Sequence, residues 1–209
     1  QFTSPINVAI PSGNFGNAYS AWFGRSNGLP VNKILCSTNV NDVLRRFIET
    51  GELAPEKTLP SVAPSMDIQI PSSLERLIFD FTDGASVFYD TLLKEHKAKL
   101  SDENIIKLNH IFSSSTFLDD DIKSEIKSLY EEFGSIFDPH SVTSIRMALD
   151  NQDSVPTVAV ATASPEKFSN VIAPLIETSS EVEIDDIEEY LKLENDKFVI
   201  SESIKAYFS

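Results

Sequence analysis

The chain has 209 residues, 41% apolar and 23% charged, which is enough apolar content to bury the core of one domain or somewhat more. Its formal net charge of −15 argues against a nucleic-acid or anionic-membrane partner, because both bind basic surfaces. The single cysteine, Cys36, excludes an intramolecular disulfide and indicates a reducing, cytoplasmic location.

The hydropathy of the chain gives no sign of a membrane segment or of a leader. No stretch of about 18 apolar residues occurs, so we expect no membrane span. The chain opens within a strand-like segment and has no signal peptide, and we expect its natural N-terminus to lie further upstream.

The first functional signal lies between an expected strand at residues 6–11 and an expected helix at residues 18–23. The residues between them are Ser12-Gly13-Asn14-Phe15-Gly16-Asn17. Glycine and asparagine accept positive φ, which lets a loop turn its N–H groups inward. A strand, such a loop and a helix N-terminus together form an anion cradle, so we interpret residues 12–17 as a phosphate-binding loop. From composition alone, a simple tight connection is the alternative.

The next elements repeat the strand–helix alternation. Residues 31–37 predict a second strand, and Asn41 or Asp42 is expected to cap a helix that ends at Gly51. The apolar positions of this helix are Val43, Leu44, Phe47 and Ile48. This order predicts an α/β fold in which helices flank a parallel sheet.

A proline-punctuated loop over residues 52–71 leads to a more polar region. Ser72 and Glu75 predict a capping box ahead of an amphipathic helix. Residues 82–134 are predicted to be a helical insertion, in which Ser101 opens one helix. Residues 119–121, three aspartates, open another helix with Ile122, Ile126, Leu129 and Phe133 inside and Gly134 at its end. We interpret these aspartates as an acidic first turn, which is more common than a metal site.

The last third contains the longest apolar run. Residues 157–163 read Thr-Val-Ala-Val-Ala-Thr-Ala and predict a buried parallel strand, after which Ser164 and Pro165 begin a helix. From residue 177 onward the chain is acidic, with a strand-like segment at residues 198–200 and a short helix. We expect these charges to form a solvated face.

Three histidines are available for chemistry. We expect His96 to be exposed and His110 to be partly buried, whereas His140 lies at a helix start and is a site candidate. No pair has metal-ligand spacing and no cysteine partner exists, so we expect no metal site. No Gly-x-Ser-x-Gly motif occurs, which excludes the simplest serine hydrolase. From these residues alone the chain is an α/β protein that binds an anion.

Five segments, in order, resemble threonine synthase, a family of fold type II pyridoxal-phosphate (PLP) enzymes. They are SGNFGN; GLP with STNVND; PSMDI; DPHS; and VATASPEKF. The family usually reads DPHTA and TAHPAKF, so Ser141 and Ser164 are departures. The resemblance implies part of the large domain of the tryptophan synthase beta-like fold, divided as residues 1–81, 82–134 and 135–209.

The resemblance also implies site residues. In the family the loop amides hold the PLP phosphate, which corresponds here to Gly13, Asn14, Phe15, Gly16 and Asn17. A hydroxyl near the end of the late strand contacts the pyridine nitrogen, which corresponds to Thr162. Candidates for the substrate site are Asn39, Asn41, Ser65 and His140.

The implied activity is conversion of O-phospho-L-homoserine and water to L-threonine and phosphate. No lysine here has the family's Phe-Lys-Asp context, so we expect the Schiff-base lysine upstream, in a missing N-terminal half, and expect the isolated chain to be inactive. A related PLP-dependent phospholyase and a non-catalytic anion-binding domain are the alternatives.

Overall fold

The computed structural model describes residues 4–82, 84–152 and 154–176. The chain divides into two compact units, residues 1–175 and 176–209, and the elements described below belong to the first. The predicted strand at residues 198–200 and the acidic region from residue 177 lie outside the described residues. The division at residues 81 and 134 stays a prediction.

The first described elements alternate between strand and helix, as predicted, and helices follow one another directly at two later points. In chain order the elements are β1 (Ile6–Pro11), α1 (Gly16–Ser26), β2 (Val31–Thr38), α2 (Val43–Thr50), β3 (Glu52–Leu53), a 3₁₀ turn (Pro64–Met66), α3 (Leu74–Thr82), α4 (Ser86–Glu95), β4 (Ala98–Lys99), α5 (Asp102–Ile111), β5 (Phe112–Thr116), α6 (Asp119–Phe133), α7 (Ser141–Asp150), β6 (Thr157–Ala159), a second 3₁₀ turn (Pro165–Phe168) and α8 (Ser169–Ile172).

The central sheet is parallel and has the strand order β5-β2-β1-β6. After β5 the chain crosses to the other side of β1, so the loop that follows β1 lies at a change of direction in the strand order. Ligands of open parallel sheets bind at the carboxyl ends of strands beside such a point. The short strands β3 and β4 form a separate antiparallel pair.

Helices cover both faces of this sheet. On one face, Ile10 and Ile34 join a large apolar cluster that includes the inner sides of α2 and α3. On the other face, Ala9 and Leu35 pack against Met147 of α7. Because neighbouring residues of a strand point to opposite faces, β1 and β2 are apolar on both sides. This confirms the predicted α/β class.

The predicted core of α2 is confirmed, since its four apolar positions are all buried and Gly51 ends the helix with φ of 71°. The predicted capping of this helix is wrong in detail. Asp42 is the N-cap residue, but its carboxylate accepts no cap hydrogen bond and instead pairs with Arg45 and Arg46.

Residues 82–134 are mainly helical, as predicted, but they also contain the strands β4 and β5, which were not predicted. The strand β5 pairs with β2, and its three central residues, at positions 113–115, are all serines. Hydrogen bonds carry part of the pairing, because Ser114 Oγ donates to the carbonyl of Cys36. Phe133, predicted to lie inside α6, is 55% exposed, whereas Ile122, Ile126 and Leu129 are buried.

The acidic start of α6 has the predicted structural role. Asp121 accepts the backbone N–H of Leu118, and Asp119 accepts that of Val62, so both carboxylates satisfy donors that would otherwise lack partners. The helix ends at Gly134, as predicted, with φ of 65°.

The predicted strand over residues 157–163 is the largest correction. Only Thr157–Ala159 forms a strand, β6, which pairs with β1, and the Val158 side chain is 49% exposed. The Val160 N–H still donates to the carbonyl of Ala9 in β1, whereas the Thr162 N–H donates to the Ser141 hydroxyl of α7, so the chain has left the sheet by Thr162. No helix among the described residues is long and apolar enough to cross a bilayer.

Candidate functional site

The loop between β1 and α1 begins as a continuation of the sheet. Ser12 N–H donates to the carbonyl of Ser37 in β2 at 2.8 Å. Phe15 then has φ of 69° and ψ of 8°, in the left-handed region, and its side chain is buried. Its ring contacts that of Phe112, with centroids 5.6 Å apart. The loop is therefore anchored in the core by an aromatic residue at its sharpest turn.

The expectation that glycine or asparagine provides the positive φ of this loop is wrong. Positive φ falls on Phe15, and neither Gly13 nor Gly16 adopts it. Position 13 requires glycine for a steric reason, because a Cβ there would lie 2.7 Å from the carbonyl oxygen of Ser65. At Gly16 the nearest atom to such a Cβ is the Ser73 hydroxyl, at the ordinary distance of 3.7 Å.

The backbone N–H groups of residues 13–17 share one property. Within the described ranges, none of the five donates a hydrogen bond to a protein acceptor. A left-handed residue followed by right-handed helical residues, as at Phe15 and Gly16, turns successive N–H groups toward one side. The segment thus offers consecutive donors at a helix N-terminus, where the helix dipole also favours an anion.

The 3₁₀ turn at Pro64–Met66 packs against this loop, and His140 forms a hydrogen bond with the backbone of the turn. The Ser65 N–H donates to His140 Nε2 at 3.1 Å, and His140 Nδ1 is 2.8 Å from Asp138 Oδ1. Since a backbone N–H only donates, Nε2 must be the acceptor and Nδ1 must carry the proton. These bonds select one neutral tautomer of the imidazole, and the Phe168 ring packs edge-on against it.

Asp138 lies at the centre of a buried hydrogen-bond network. Its Oδ1 accepts the N–H of His140 at 2.9 Å and that of Ser141 at 3.4 Å, and its Oδ2 accepts the Ser141 hydroxyl. Burial raises the pKa of Asp138, but the hydrogen bonds from His140 and Ser141 outweigh burial and leave the pKa below its ordinary value. The group is therefore an ionised acceptor near neutral pH.

Thr162 joins the same network through its backbone. Its N–H donates to Ser141 Oγ at 2.9 Å, and its side chain is exposed. Among the described residues, no group forms a hydrogen bond with the Thr162 hydroxyl. Within the described part of the chain the hydroxyl is therefore open to a ligand beyond the end of β6, and its role at the pyridine nitrogen stays a prediction.

Asn39 and Asn41 are buried at the carboxyl end of β2, and their side chains bind the loop that precedes α3. Both amide groups donate to Asp67 Oδ1, at 2.7 and 3.0 Å. Asn41 Oδ1 also accepts the N–H of Leu59 at 2.8 Å, and Asp67 Oδ2 accepts that of Ser61 at 3.1 Å. These side chains hold the loop that carries Ser65.

The structure thus brings together most of the predicted site. Ser65 lies against Gly13 of the loop and donates its N–H to His140. Thr162 is linked to His140 through Ser141 and Asp138, and Asn39 and Asn41 hold the loop that carries Ser65.

Three residues of the network were not predicted as site residues from the sequence: Asp67, Asp138 and Ser141. Asp138 and Ser141 lie in the segment DPHS with His140, and Asp67 lies in PSMDI with Ser65. Their closeness in sequence to these two candidates was the only sign that they belong to the site. Asp67 bonds to Asn39 and Asn41, and Ser141 bonds to Thr162, so these partners lie in other segments and no local spacing marks them. Asp138 bonds within its own segment, to His140 and Ser141.

The remaining candidate side chains lie elsewhere. His96 is exposed as predicted, and His110 is also exposed, which corrects the expectation of partial burial: it lies on the outer face of α5. Burial raises the pKa of Cys36 to about 12, so its thiol is not a nucleophile near neutral pH. In the part of the chain that the structure describes, no three His, Cys, Asp or Glu side chains are grouped closely enough to hold a metal ion.

Comparison with known proteins gives a consistent result. No family model matches the chain. It is 32% identical over 173 residues to threonine synthase of Pseudomonas aeruginosa, which covers 80% of this chain and 37% of that protein. It is 32% identical over 179 residues to human threonine synthase-like 1, covering 82% of this chain and 24% of that protein.

Solved structures agree with the sequence matches. A PLP-bound threonine synthase from Brucella melitensis superimposes with a TM-score of 0.80 at 27% identity, covering 86% of this chain and 40% of that one. Yeast threonine synthase gives 0.79 at 26% identity, covering 87% and 40%.

The chain thus spans about two fifths of the length of the threonine synthases it matches. Over that part, both the sequence and the fold agree with those enzymes. The chain is therefore similar, in both sequence and fold, to the C-terminal portion of threonine synthases.

Proposed function

We propose that this chain is part of a PLP-dependent threonine synthase that converts O-phospho-L-homoserine and water to L-threonine and phosphate. In this reaction Cβ loses a proton, the bond between Cγ and the phosphate ester oxygen breaks, and phosphate leaves with the electron pair. Water then supplies the hydroxyl at Cβ, and Cγ gains a proton to become the methyl group of threonine. The observation that carries the proposal is the run of five backbone N–H groups at residues 13–17, which have no protein acceptor among the described residues and follow a central strand of a parallel sheet.

In the proposal these amides hold the phosphate group of PLP. A phosphate dianion needs several donors at once, and the backbone of Gly13, Asn14, Phe15, Gly16 and Asn17 supplies them without any conformational change. The positive end of the α1 dipole adds to the attraction. This chain carries a net charge of −15, which disfavours anions, so the attraction for a phosphate must come from such local donors.

The Thr162 hydroxyl is the proposed partner of the pyridine nitrogen. A hydroxyl can donate to this nitrogen without adding charge, so the ring stays largely unprotonated. When bound, PLP supplies an electron-withdrawing ring that stabilises negative charge on the substrate. The position of Thr162 is fixed by its N–H, which donates to Ser141.

Ser65 is the proposed direct substrate contact among the four candidates. It is exposed, and within the described ranges its hydroxyl has no hydrogen-bond partner, whereas the side chains of Asn39, Asn41 and His140 are buried and bonded to protein groups. We propose that these three contribute to the substrate site by holding the turn of Ser65. The hydroxyl suits an acidic group of O-phosphohomoserine, which carries both a phosphate and a carboxylate.

Other parts of the proposal lie outside this chain. None of its lysines stands between Phe and Asp, so we place the anchoring lysine in the N-terminal half of the enzyme and expect the isolated chain to be inactive. The single Cys36 supports a cytoplasmic setting.

The test is a titration of the full ¹⁵N-labelled chain with ligand, in which NMR detects binding through shifts of the amide signals. Pyridoxamine 5′-phosphate is the probe, because it lacks the aldehyde that would react with surface lysines, and pyridoxamine without phosphate is the matched control. We expect the phosphorylated ligand alone to shift the amide signals of residues 13–17, and to shift that of Thr162 as well.

Two other results would count against the proposal. Equal and weak shifts with inorganic phosphate and pyridoxamine 5′-phosphate, without a response at Thr162, would favour a non-catalytic anion-binding domain. No response at residues 13–17 would refute the phosphate-binding loop.

A further inference from the structure

We propose that Asp138 and His140 form a positioning pair that fixes the two proposed cofactor contacts, the loop at residues 13–17 and Thr162, relative to each other. The inference rests on the proposed function and extends it: the pair positions the groups that contact the cofactor and does not itself contact a ligand. Neither residue belongs to the loop or to the strand end that it positions.

The first branch of this pair runs from His140 to the phosphate-binding loop. Ser65 is held on both sides: its N–H donates to His140 Nε2 at 3.1 Å, and its carbonyl oxygen lies where Gly13 leaves room for no Cβ. Any movement of the imidazole would therefore move Ser65 against Gly13. The placement of the loop depends in this way on a histidine that acts through Ser65.

The second branch runs from Asp138 to Thr162. Asp138 Oδ2 accepts the hydroxyl hydrogen of Ser141, which leaves the Ser141 oxygen lone pairs directed to other donors. One of these lone pairs accepts the Thr162 N–H at 2.9 Å. The carboxylate thus sets the rotamer and the donor–acceptor direction of the hydroxyl that holds Thr162.

The burial of the pair excludes direct ligand contact in this arrangement. The side chain of Asp138 is fully buried and that of His140 is 4% exposed. Both ring nitrogens and both carboxylate oxygens already have protein partners. A single ionised carboxylate therefore supports both branches, one through the imidazole and one through the Ser141 hydroxyl.

The first measurement tests the bonds themselves, without any ligand. Long-range ¹H–¹⁵N spectra of the full chain report the tautomer of His140, and an N–H···N bond transmits a scalar coupling between Ser65 N and His140 Nε2. We expect the Nδ1–H tautomer and this coupling. A proton on Nε2, or loss of the coupling, would overturn the inference.

The second measurement is the dissociation constant for pyridoxamine 5′-phosphate. His140→Phe keeps the ring volume beside Phe168 but removes the acceptor for Ser65, and we expect it to weaken binding about tenfold. His140→Gln, whose side-chain oxygen can accept from Ser65, should restore most of the affinity. His110→Phe, at an exposed histidine, is the matched control and should bind like the wild type.

Asp138→Asn tests the other branch and provides a second variant if His140→Phe does not fold. Its amide keeps an acceptor for His140 but turns a donor toward Ser141, so we expect the Thr162 amide signal to move more than that of Ser65. Asp90→Asn, at an exposed aspartate, is the control. An unchanged Thr162 signal would overturn this branch.

The outcomes separate the two proposals. If the wild type binds the ligand and His140→Phe binds it equally well, the positioning pair is refuted and the phosphate-binding loop stands. If the wild type shows no response at residues 13–17, the loop assignment fails, and the inference falls with it.

Discussion

The contact between Gly13 and Ser65 makes a sharp prediction about Gly13→Ala. The new Cβ would lie 2.7 Å from the Ser65 carbonyl oxygen and 3.0 Å from Met66 Cα, whereas ordinary contact begins at 3.4 Å. Both neighbours are backbone atoms, so no side chain can rotate away. The loop and the 3₁₀ turn must separate by several tenths of an ångström.

The size of the effect follows from two opposing terms. Forcing a methyl group into a packed contact costs about 1–3 kcal/mol, and alanine in place of glycine recovers roughly 0.4–1 kcal/mol by restricting the unfolded chain. We expect Gly13→Ala to lower the free energy of unfolding by about 1–2 kcal/mol. Gly16→Ala is the matched control, because the nearest atom to its Cβ lies at 3.7 Å. Gly16 is the first residue of α1, where alanine favours the helix, so this variant should be neutral or stabilised by up to about 1 kcal/mol.

Urea denaturation measures both variants against the wild type. Trp22 is the single tryptophan of the chain and packs edge-on against Phe81, with ring centroids 5.4 Å apart, so its fluorescence reports loss of the core. A shift of the midpoint without a change of slope gives the difference in stability. Equal stability of the two alanine variants would refute the steric argument and, with it, the wedged position of Ser65.

Three further predictions concern positions outside the loop. Gly51→Ala should cost more stability than Gly134→Ala: alanine at either positive φ costs about 1–2 kcal/mol, and at Gly51 alone of the two the new methyl would also overlap Ile105. The pKa of Asp138 is below the usual 3.8, so the carboxylate contributes its full stabilisation above about pH 3.8 and loses it as the pH falls through the folded-state pKa. Asp138→Asn should therefore lose less stability on acidification than the wild type. Asp67→Ala removes an acceptor of four hydrogen bonds and should cost about 2–3 kcal/mol, with faster hydrogen exchange in the loop that it holds.

Each of these predictions has a contradicting result. Equal urea midpoints for the two glycine variants would show that α5 yields without cost. Parallel acid-unfolding curves for Asp138→Asn and the wild type would show that the carboxylate is not an ionised acceptor. Unchanged exchange in Asp67→Ala would show that the loop is held by other contacts.

Local patterns predicted the regular elements well where apolar side chains define them. The α2 helix and the paired strands β1 and β2 have clear periodicity, and their boundaries agree with prediction to within a residue or two. The strand β5 was missed because its serines satisfy the sheet through backbone pairing and hydroxyl bonds, which leave no apolar signal. Residues 157–163 were overpredicted because an apolar run does not reveal where a strand loses its neighbour.

The candidate site divides in a similar way. Because carboxyl ends of parallel strands meet at one edge, the loop after β1 and Thr162 could be placed near each other from the order of the strands. The roles of Asp67 and Asp138 depend on contacts between segments far apart in the chain, such as Ser65 with His140. No local pattern encodes such contacts, so the network required the structure.

The left-handed Phe15 has a consequence for how a ligand would meet this protein. An aromatic side chain rarely adopts this backbone conformation, and here its burial against Phe112 compensates for the strain. The same packing that completes the core therefore selects the loop geometry, so folding and preorganisation of the five amides are one event. A ligand would find the donors already in place and would not spend binding energy on ordering the loop.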